Sequence, residues 1–176
     1  IDIPTEDFAG KVTGTLSLAD TPMVDLTRAV PYLLNYPYGC LEQTLSSAWP
    51  FLVLPEAVAK VDPLLVEGRS VKDKTDSAIA RIQSMQLYDG SFAMWPGGTS
   101  TYATHFLVEA RKAGVPYPEE MLQGAMNWLK EYLASLPDNR YPSAEKDDFT
   151  TKAYGTYVLA LNGEKPLGWI EYLKEN

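Results

Sequence analysis

The chain has 176 residues, 45% of them hydrophobic and 11% aromatic, with a formal net charge of −8. That length and apolar share suit one globular domain with a sizeable core, and the acidic balance offers no basic stripe to a nucleic acid or an anionic membrane surface. No apolar run approaches the roughly 20 residues of a membrane span, and the single cysteine, Cys40, excludes an internal disulfide.

Residues 1–20 lack a basic start followed by an apolar block, so no signal peptide is read there. Ile1 in first position suggests a piece of something longer, with targeting information elsewhere. FAGKVTGTLSLA, residues 8–19, alternates and carries β-branched residues. It predicts a short extended arm, residues 1–20, arriving from a preceding domain. Helical signals follow. Thr21 as N-cap and Pro22 at the first helical position predict a helix over 21–36, kinked or shortened at Pro31. CLEQTLSSAWPFLVLPEAVAK predicts a second helix, interrupted near Pro50 and Pro55. SVKDKTDSAIARIQSMQ is amphipathic, with Ile79, Ile82 and Met85 on one face and charges on the other.

LYDGSFAMWPGGTS then reads as a turn-rich loop. TYATHFLVEARKAG predicts a helix capped by Ser100 or Thr101 and stopped by Gly114. The next helix carries Pro118, Glu119 and Glu120 in its first turn, which suits the helix dipole. DDFTTKAYGTYVLALNG, with Asp147 or Asp148 as N-cap, and PLGWIEYLKEN complete the helical set. FLVEARKAG and YVLALNG form a soft internal repeat, as stacked helix pairs would. The expected fold is therefore all-α: an α/α toroid of helical hairpins over 21–176, with length for part of a ring. An incomplete ring should expose apolar edges, and dimerisation is expected there.

The chemistry concentrates in YPYGCLEQTLSSAWPFL, residues 36–52. Cys40 and Gln43 have the i, i+3 spacing that puts two side chains on one helix face. Gly39 just before them allows a sharp entry into the helix. The unpaired N–H groups and dipole of a first turn favour thiolate over thiol. A thiolate held against a carboxamide gains proximity on the order of 7–11 kcal/mol in favourable cases. The product is an internal thioester: sulfur attacks the Gln43 side-chain carbonyl and ammonia leaves. The residues alone also allow a plainer reading, with Cys40 a small buried hydrophobe beside Leu41.

YPYGCLEQ resembles the thioester signature of the α2-macroglobulin and complement family, its bacterial α2-macroglobulin branch in particular; Leu41 stands where the animal form has glycine. DGSFAMWPGGTSTYATHFLVEARKAG and FTTKAYGTYVLALNG resemble the two following hairpins of the same thioester domain. The resemblance implies part of a large protease-trapping protein, an inhibitor and not an enzyme, working in bacterial defence. A cut in a bait region exposes the thioester, and a lysine amine of the protease attacks the Gln43 acyl group. Cys40 is then the thioester sulfur, Gln43 the acyl donor, Gly39 the turn and Glu42 the motif acid, either complementing the helix start or lying solvated on the surface. Tyr36 and Tyr38 flank the pair as shields against water, Tyr36 favoured, or as plain packing residues. The partners implied are proteases and the parent's other domains, with no nucleic acid, and a membrane only through a lipid anchor on the parent. No cofactor or metal is called for, and the implied location is the periplasm.

His105 is the only histidine. Some complement proteins use a histidine to redirect the thioester toward hydroxyls, but theirs lies in the preceding loop, where this chain has Met94 and Trp95. Direct attack by amines is expected, with His105 a satisfied helix histidine. QLYDGSF also resembles the glutamine–aromatic repeat of terpenoid cyclases, a structural device in another helical toroid. A cyclase would need an acid cluster, and Asp147 and Asp148 read instead as a solvated helix start. The alternatives to a thioester trap are thus a structural or binding toroid with a free cysteine, or a toroid enzyme.

Overall fold

In the computed structural model the described residues are 40–56, 58, 70–92, 98–136 and 146–175. They form six principal helices: α1 (Leu41–Val53), α2 (Ser70–Met85), α3 (Gly98–Lys112), α4 (Glu119–Ser135), α5 (Lys146–Leu161) and α6 (Leu167–Glu175). Among the described residues the only β pairing is an isolated bridge between Gln86 and Phe92. The predicted arm, the helix over 21–36 with its Pro31 kink, and Met94 and Trp95 lie outside the described residues.

The packing follows a simple order. α1 packs on α2 and α3, α3 on α4 and α5, and α5 on α4 and α6. Odd-numbered helices therefore form one row in mutual contact, and each even-numbered helix backs its hairpin partner in a second row. This is the arrangement of an α/α toroid, carried here through an arc of three hairpins. It also explains the burial patterns. α2, in the outer row, buries Ala78, Ile79, Ile82 and Met85 on one face, as its periodicity predicts. α3 lies among α1, α4 and α5 and is buried on nearly every side, from Thr101, Ala103 and Thr104 to Phe106, Leu107, Val108 and Ala110. Its threonine is satisfied in place, Thr104 Oγ1 donating to the Ser100 carbonyl at 2.8 Å.

α6 has no fully buried residue, and Leu167 is 63% exposed. What ties α6 back includes a buried lysine. Lys152 of α5, 1% exposed, donates to the Tyr172 hydroxyl at 3.3 Å and lies 4.6 Å from the Tyr172 ring centroid.

The internal repeat is visible in the joints. After α3, Gly114 takes φ +71, with Val115 N–H bonded to the Ala110 carbonyl at 2.9 Å and Gly114 N–H to Arg111 at 3.1 Å. After α5, Gly163 takes φ +92, with Glu164 N–H to Leu159 at 3.1 Å and Gly163 N–H to Ala160 at 2.9 Å. Both are Schellman caps in the same register, which is why FLVEARKAG and YVLALNG read alike.

Four helix starts or breaks differ from expectation. α1 runs through Pro50 without interruption and stops at Val53, just ahead of Pro55. The helix gives up only the bond that a residue-50 N–H would make to the Ser46 carbonyl. α3 starts at Gly98, so Ser100 and Thr101 lie inside its first turn and not at its cap. The Ser100 hydroxyl is engaged elsewhere, accepting from Phe92 N–H at 3.0 Å. Pro118 is the N-cap of α4, extended at ψ 123, and only Glu119 and Glu120 enter the first turn. α5 starts at Lys146, which moves Asp147 and Asp148 from the cap into the first turn.

The turn between α2 and α3 is locked by polar contacts. Leu87 N–H bonds the Ser91 carbonyl at 2.8 Å, and Asp89 Oδ1 accepts from Ser91 N–H at 3.0 Å and Ser91 Oγ at 2.6 Å. These bonds hold the Asp89 carboxyl below its usual pKa. Gln86 Nε2 donates to the Gly90 carbonyl at 3.2 Å and to the Met121 carbonyl of α4 at 2.8 Å. Gly90 sits at φ +88 with its backbone against Gly124, where a Cβ would come within 2.2 Å of the Gly124 oxygen. Only glycine fits there.

Candidate functional site at the start of helix α1

Cys40 is the N-cap of α1, extended at φ −67 and ψ 158, with its carbonyl accepting the first helical bond from Thr44 N–H at 3.0 Å. That makes Leu41, Glu42 and Gln43 the first three helical residues. The Cys40–Gln43 spacing is thus the spacing of a capping box, in which the N-cap side chain and the third helical side chain turn toward each other. The usual N-cap hydroxyl is replaced by sulfur, and the reciprocal bonds are not made. Cys40 makes no side-chain cap bond. Gln43 Oε1 is buried and has no hydrogen-bond partner. A buried, unpaired amide oxygen costs about 1–3 kcal/mol, so this corner is the least satisfied part of the helix. Cys40 is half-buried and free of any disulfide.

The rest of the first two turns explains how the corner is held. Leu41 and Leu45 are 1% and 0% exposed, anchoring α1 in the core. Glu42 points outward and is exposed, so it complements the helix start while solvated. Ser46, one turn after Gln43, has its Oγ 3.2 Å from the Tyr102 hydroxyl of α3. The Tyr102 ring stacks on Trp49 at 5.0 Å between centroids, with planes 16° apart. Burial raises the Tyr102 phenol pKa, and the Glu42 charge adds to the rise. Sequence reasoning did not single out Ser46 or Tyr102. Ser46 could have been found from its i+3 position after Gln43; nothing local in the sequence signals Tyr102, which arrives from another helix.

His105 stands in an aromatic row across the three inner helices. Its ring meets Trp49 edge-on at 4.7 Å, Tyr154 at 5.7 Å and Tyr157 at 5.4 Å. Nδ1 lies 3.0 Å from the Tyr154 hydroxyl, and Nε2 lies 3.9 Å from Glu109. Burial lowers its pKa, Glu109 opposing and Lys112 adding to the fall. Burial also lifts the Tyr154 phenol well above its usual range. The Nδ1 side of His105 is therefore held by Tyr154, while Nε2 faces the Glu109 carboxylate beyond hydrogen-bond distance. Tyr36, Tyr38 and Gly39 lie outside the described residues. Among the described residues no group of three His, Cys, Asp or Glu side chains is arranged to hold a metal.

An all-α arc of hairpins, one inner helix opening on a cysteine–glutamine pair, defines the class: an α/α-toroid domain. Comparison with known proteins narrows it. An alpha-2-macroglobulin of Xylella fastidiosa is 30% identical over 176 residues, 94% of this chain and 11% of that protein. An alpha-2-macroglobulin of Escherichia coli is 30% identical over 175 residues, 93% of this chain and 10% of that protein. Among solved structures, native Escherichia coli alpha-2-macroglobulin from domain MG7 to the C-terminus superposes with a TM-score of 0.71 at 28% identity, covering 88% of this chain and 26% of that one. A Salmonella alpha-2-macroglobulin mutant, in which one tyrosine is replaced by glycine, gives 0.71 at 30% identity over 88% of this chain and 11% of its own. No protein-family model matches. Over 93–94% of its length the chain matches a segment of bacterial alpha-2-macroglobulins, and it spans about a tenth of the length of these curated relatives.

Proposed function

We propose that this chain is the thioester-bearing domain of a protease-trapping inhibitor, and that Cys40 and Gln43 form its internal thioester. The observation that carries the reading is the unused capping box: a sulfur at the N-cap, an amide at the third helical position, and the amide oxygen buried without a partner. In formation, Cys40 sulfur attacks the Gln43 side-chain carbon, the C–N bond breaks, and ammonia leaves with the thiol proton. A thioester oxygen is a weaker acceptor than an amide oxygen, so the same buried position costs less once the bond exists. Its burial also keeps water from the acyl group. In the trapping step, a lysine amine of the protease attacks the acyl carbon, the C–S bond breaks, and the amine proton passes to the departing sulfur. Cys40 ends as a free thiol and Gln43 as an isopeptide amide. No enzymatic turnover is involved.

The wider reading follows from the family. The partners are proteases, joined through lysine amines, and the remaining domains of the parent. Tyr36, favoured, and Tyr38 cover the bond, and residues 1–20 form the arm from the preceding domain. The place of action is the periplasm, where bacterial members work. The experiment is methylamine treatment with thiol titration. The chain should titrate no free thiol before treatment and one after it, with methylamine bound at Gln43; Cys40→Ala should take up none. A freely titrating Cys40 before treatment, with no uptake, would contradict the reading.

A further inference from the structure

We infer that Ser46 is the hydrogen-bond donor to the Gln43 acyl oxygen when the bond reacts, and that Tyr102 positions Ser46 for this. The inference rests on the thioester reading above. It starts from the orphaned Gln43 Oε1, which is buried and receives no hydrogen bond. When an amine attacks the acyl carbon, that oxygen takes up negative charge, and a donor aimed at it lowers the barrier. The helix supplies one candidate on the right face. Ser46 is at i+3 from Gln43, where side chains one turn apart meet.

Ser46 differs from its neighbour in what its hydroxyl does. Ser47 donates to the Thr44 carbonyl at 2.9 Å and is spent on its own helix. Ser46 makes no such bond; its hydroxyl partner is the Tyr102 hydroxyl at 3.2 Å. A phenol is the better donor of the two and an aliphatic hydroxyl the better acceptor. With Tyr102 Oη taken as the donor of this pair, the serine proton is left free to turn toward Gln43. A serine that accepts one hydrogen bond becomes a stronger donor of the next. The phenol is protonated at neutral pH, as any ordinary tyrosine is, and burial raises its pKa further. Its ring is fixed by the stack on Trp49, so the hydroxyl does not wander.

The step balances without a further reactant. The amine nitrogen bonds to the acyl carbon, the oxygen becomes negative while bonded to Ser46, and the oxygen then re-forms its double bond as the C–S bond breaks and the amine proton passes to the departing sulfur. Ser46 keeps its proton throughout. In this inference Ser46 donates to the reacting oxygen, and Tyr102 acts only through Ser46.

The test compares the chain with Ser46→Ala, Ser46→Thr and Tyr102→Phe, reading intact mass first and the rates of methylamine uptake and spontaneous hydrolysis second. Ser46→Ala should slow uptake roughly 100-fold, as loss of one oxyanion donor does. Tyr102→Phe should slow it roughly fivefold, the worth of one hydrogen bond. Ser46→Thr should restore most of the rate. Hydrolysis should slow alongside uptake, so the Ser46→Ala thioester lives longer. A merely structural or shielding role moves that lifetime the other way. Uptake at the unaltered rate in Ser46→Ala, or a shorter thioester lifetime, would overturn the inference while leaving the thioester reading intact. Absence of the thioester in the unaltered chain overturns both.

Discussion

Gln43 and Gln86 both sit where a helix meets the chain beside it, and the structure treats them in opposite ways. Gln86 directly follows α2 and donates to two backbone carbonyls, one of them Met121 on α4. Around it the turn is closed by Asp89, Ser91 and Gly90, and Phe92 is fully buried. Gln43 begins α1 in a position made for a reciprocal cap, and its oxygen is buried without a bond. The Gln86 corner uses its amide to fix two hairpins together. The Gln43 corner leaves its amide oxygen unsatisfied, one turn after a cysteine N-cap. Polar groups that serve the fold are paired, and a group left unpaired in a buried place is where chemistry is to be sought.

The largest expected effect is at the structural corner. Gly90→Ala should destabilise the chain by about 3 kcal/mol or more, since the new Cβ meets Gly124 backbone and the φ is unfavourable; thermal unfolding measures it, and an unchanged midpoint would break the account of that turn. The sharper comparison applies one substitution to both glutamines, in a Cys40→Ala background that removes any thioester. Gln86→Leu should cost about 2 kcal/mol, because it removes donors to two carbonyls. Gln43→Leu should fall within about 0.5 kcal/mol of its parent or stabilise it, because the buried oxygen has no bond to lose. Equal losses at the two sites would erase the distinction drawn here.

The smallest effect concerns pH. The His105 pKa is lowered in the folded chain by burial, so the unfolded chain takes up its proton first as pH falls below about 6.5. His105 therefore leaves stability intact above that pH and subtracts from it on acidification. Midpoints compared between pH 7.5 and pH 5 should drop less in His105→Asn than in the unaltered chain; a larger drop in the variant would reverse the assigned sign.

Much of this was readable in the sequence, for identifiable reasons. The face of α2 was legible because an outer-row helix buries one stripe. The stop at Gly114 was legible because a left-handed cap wants glycine. Ser100 misled because a hydroxyl near a helix start looks like a cap, while its actual partner, Phe92, is a loop residue packed by tertiary contacts. Pro50 misled because its cost is local and α1 is anchored by Leu45, Ala48, Phe51 and Leu52 around it. At the site, the Cys40–Gln43 spacing was visible, but its register as a capping box was not, because sulfur is not a usual capping atom. Tyr102 comes from another helix, 56 positions away from Ser46, and only the fold brings the two together.

The most direct measurement is the intact mass of the untreated chain under native preparation. If Cys40 and Gln43 are joined, the mass falls below that of the sequence by about 17 Da, the mass of the ammonia lost when sulfur acylates. A mass equal to the sequence, with Cys40 open to alkylation, would contradict the account.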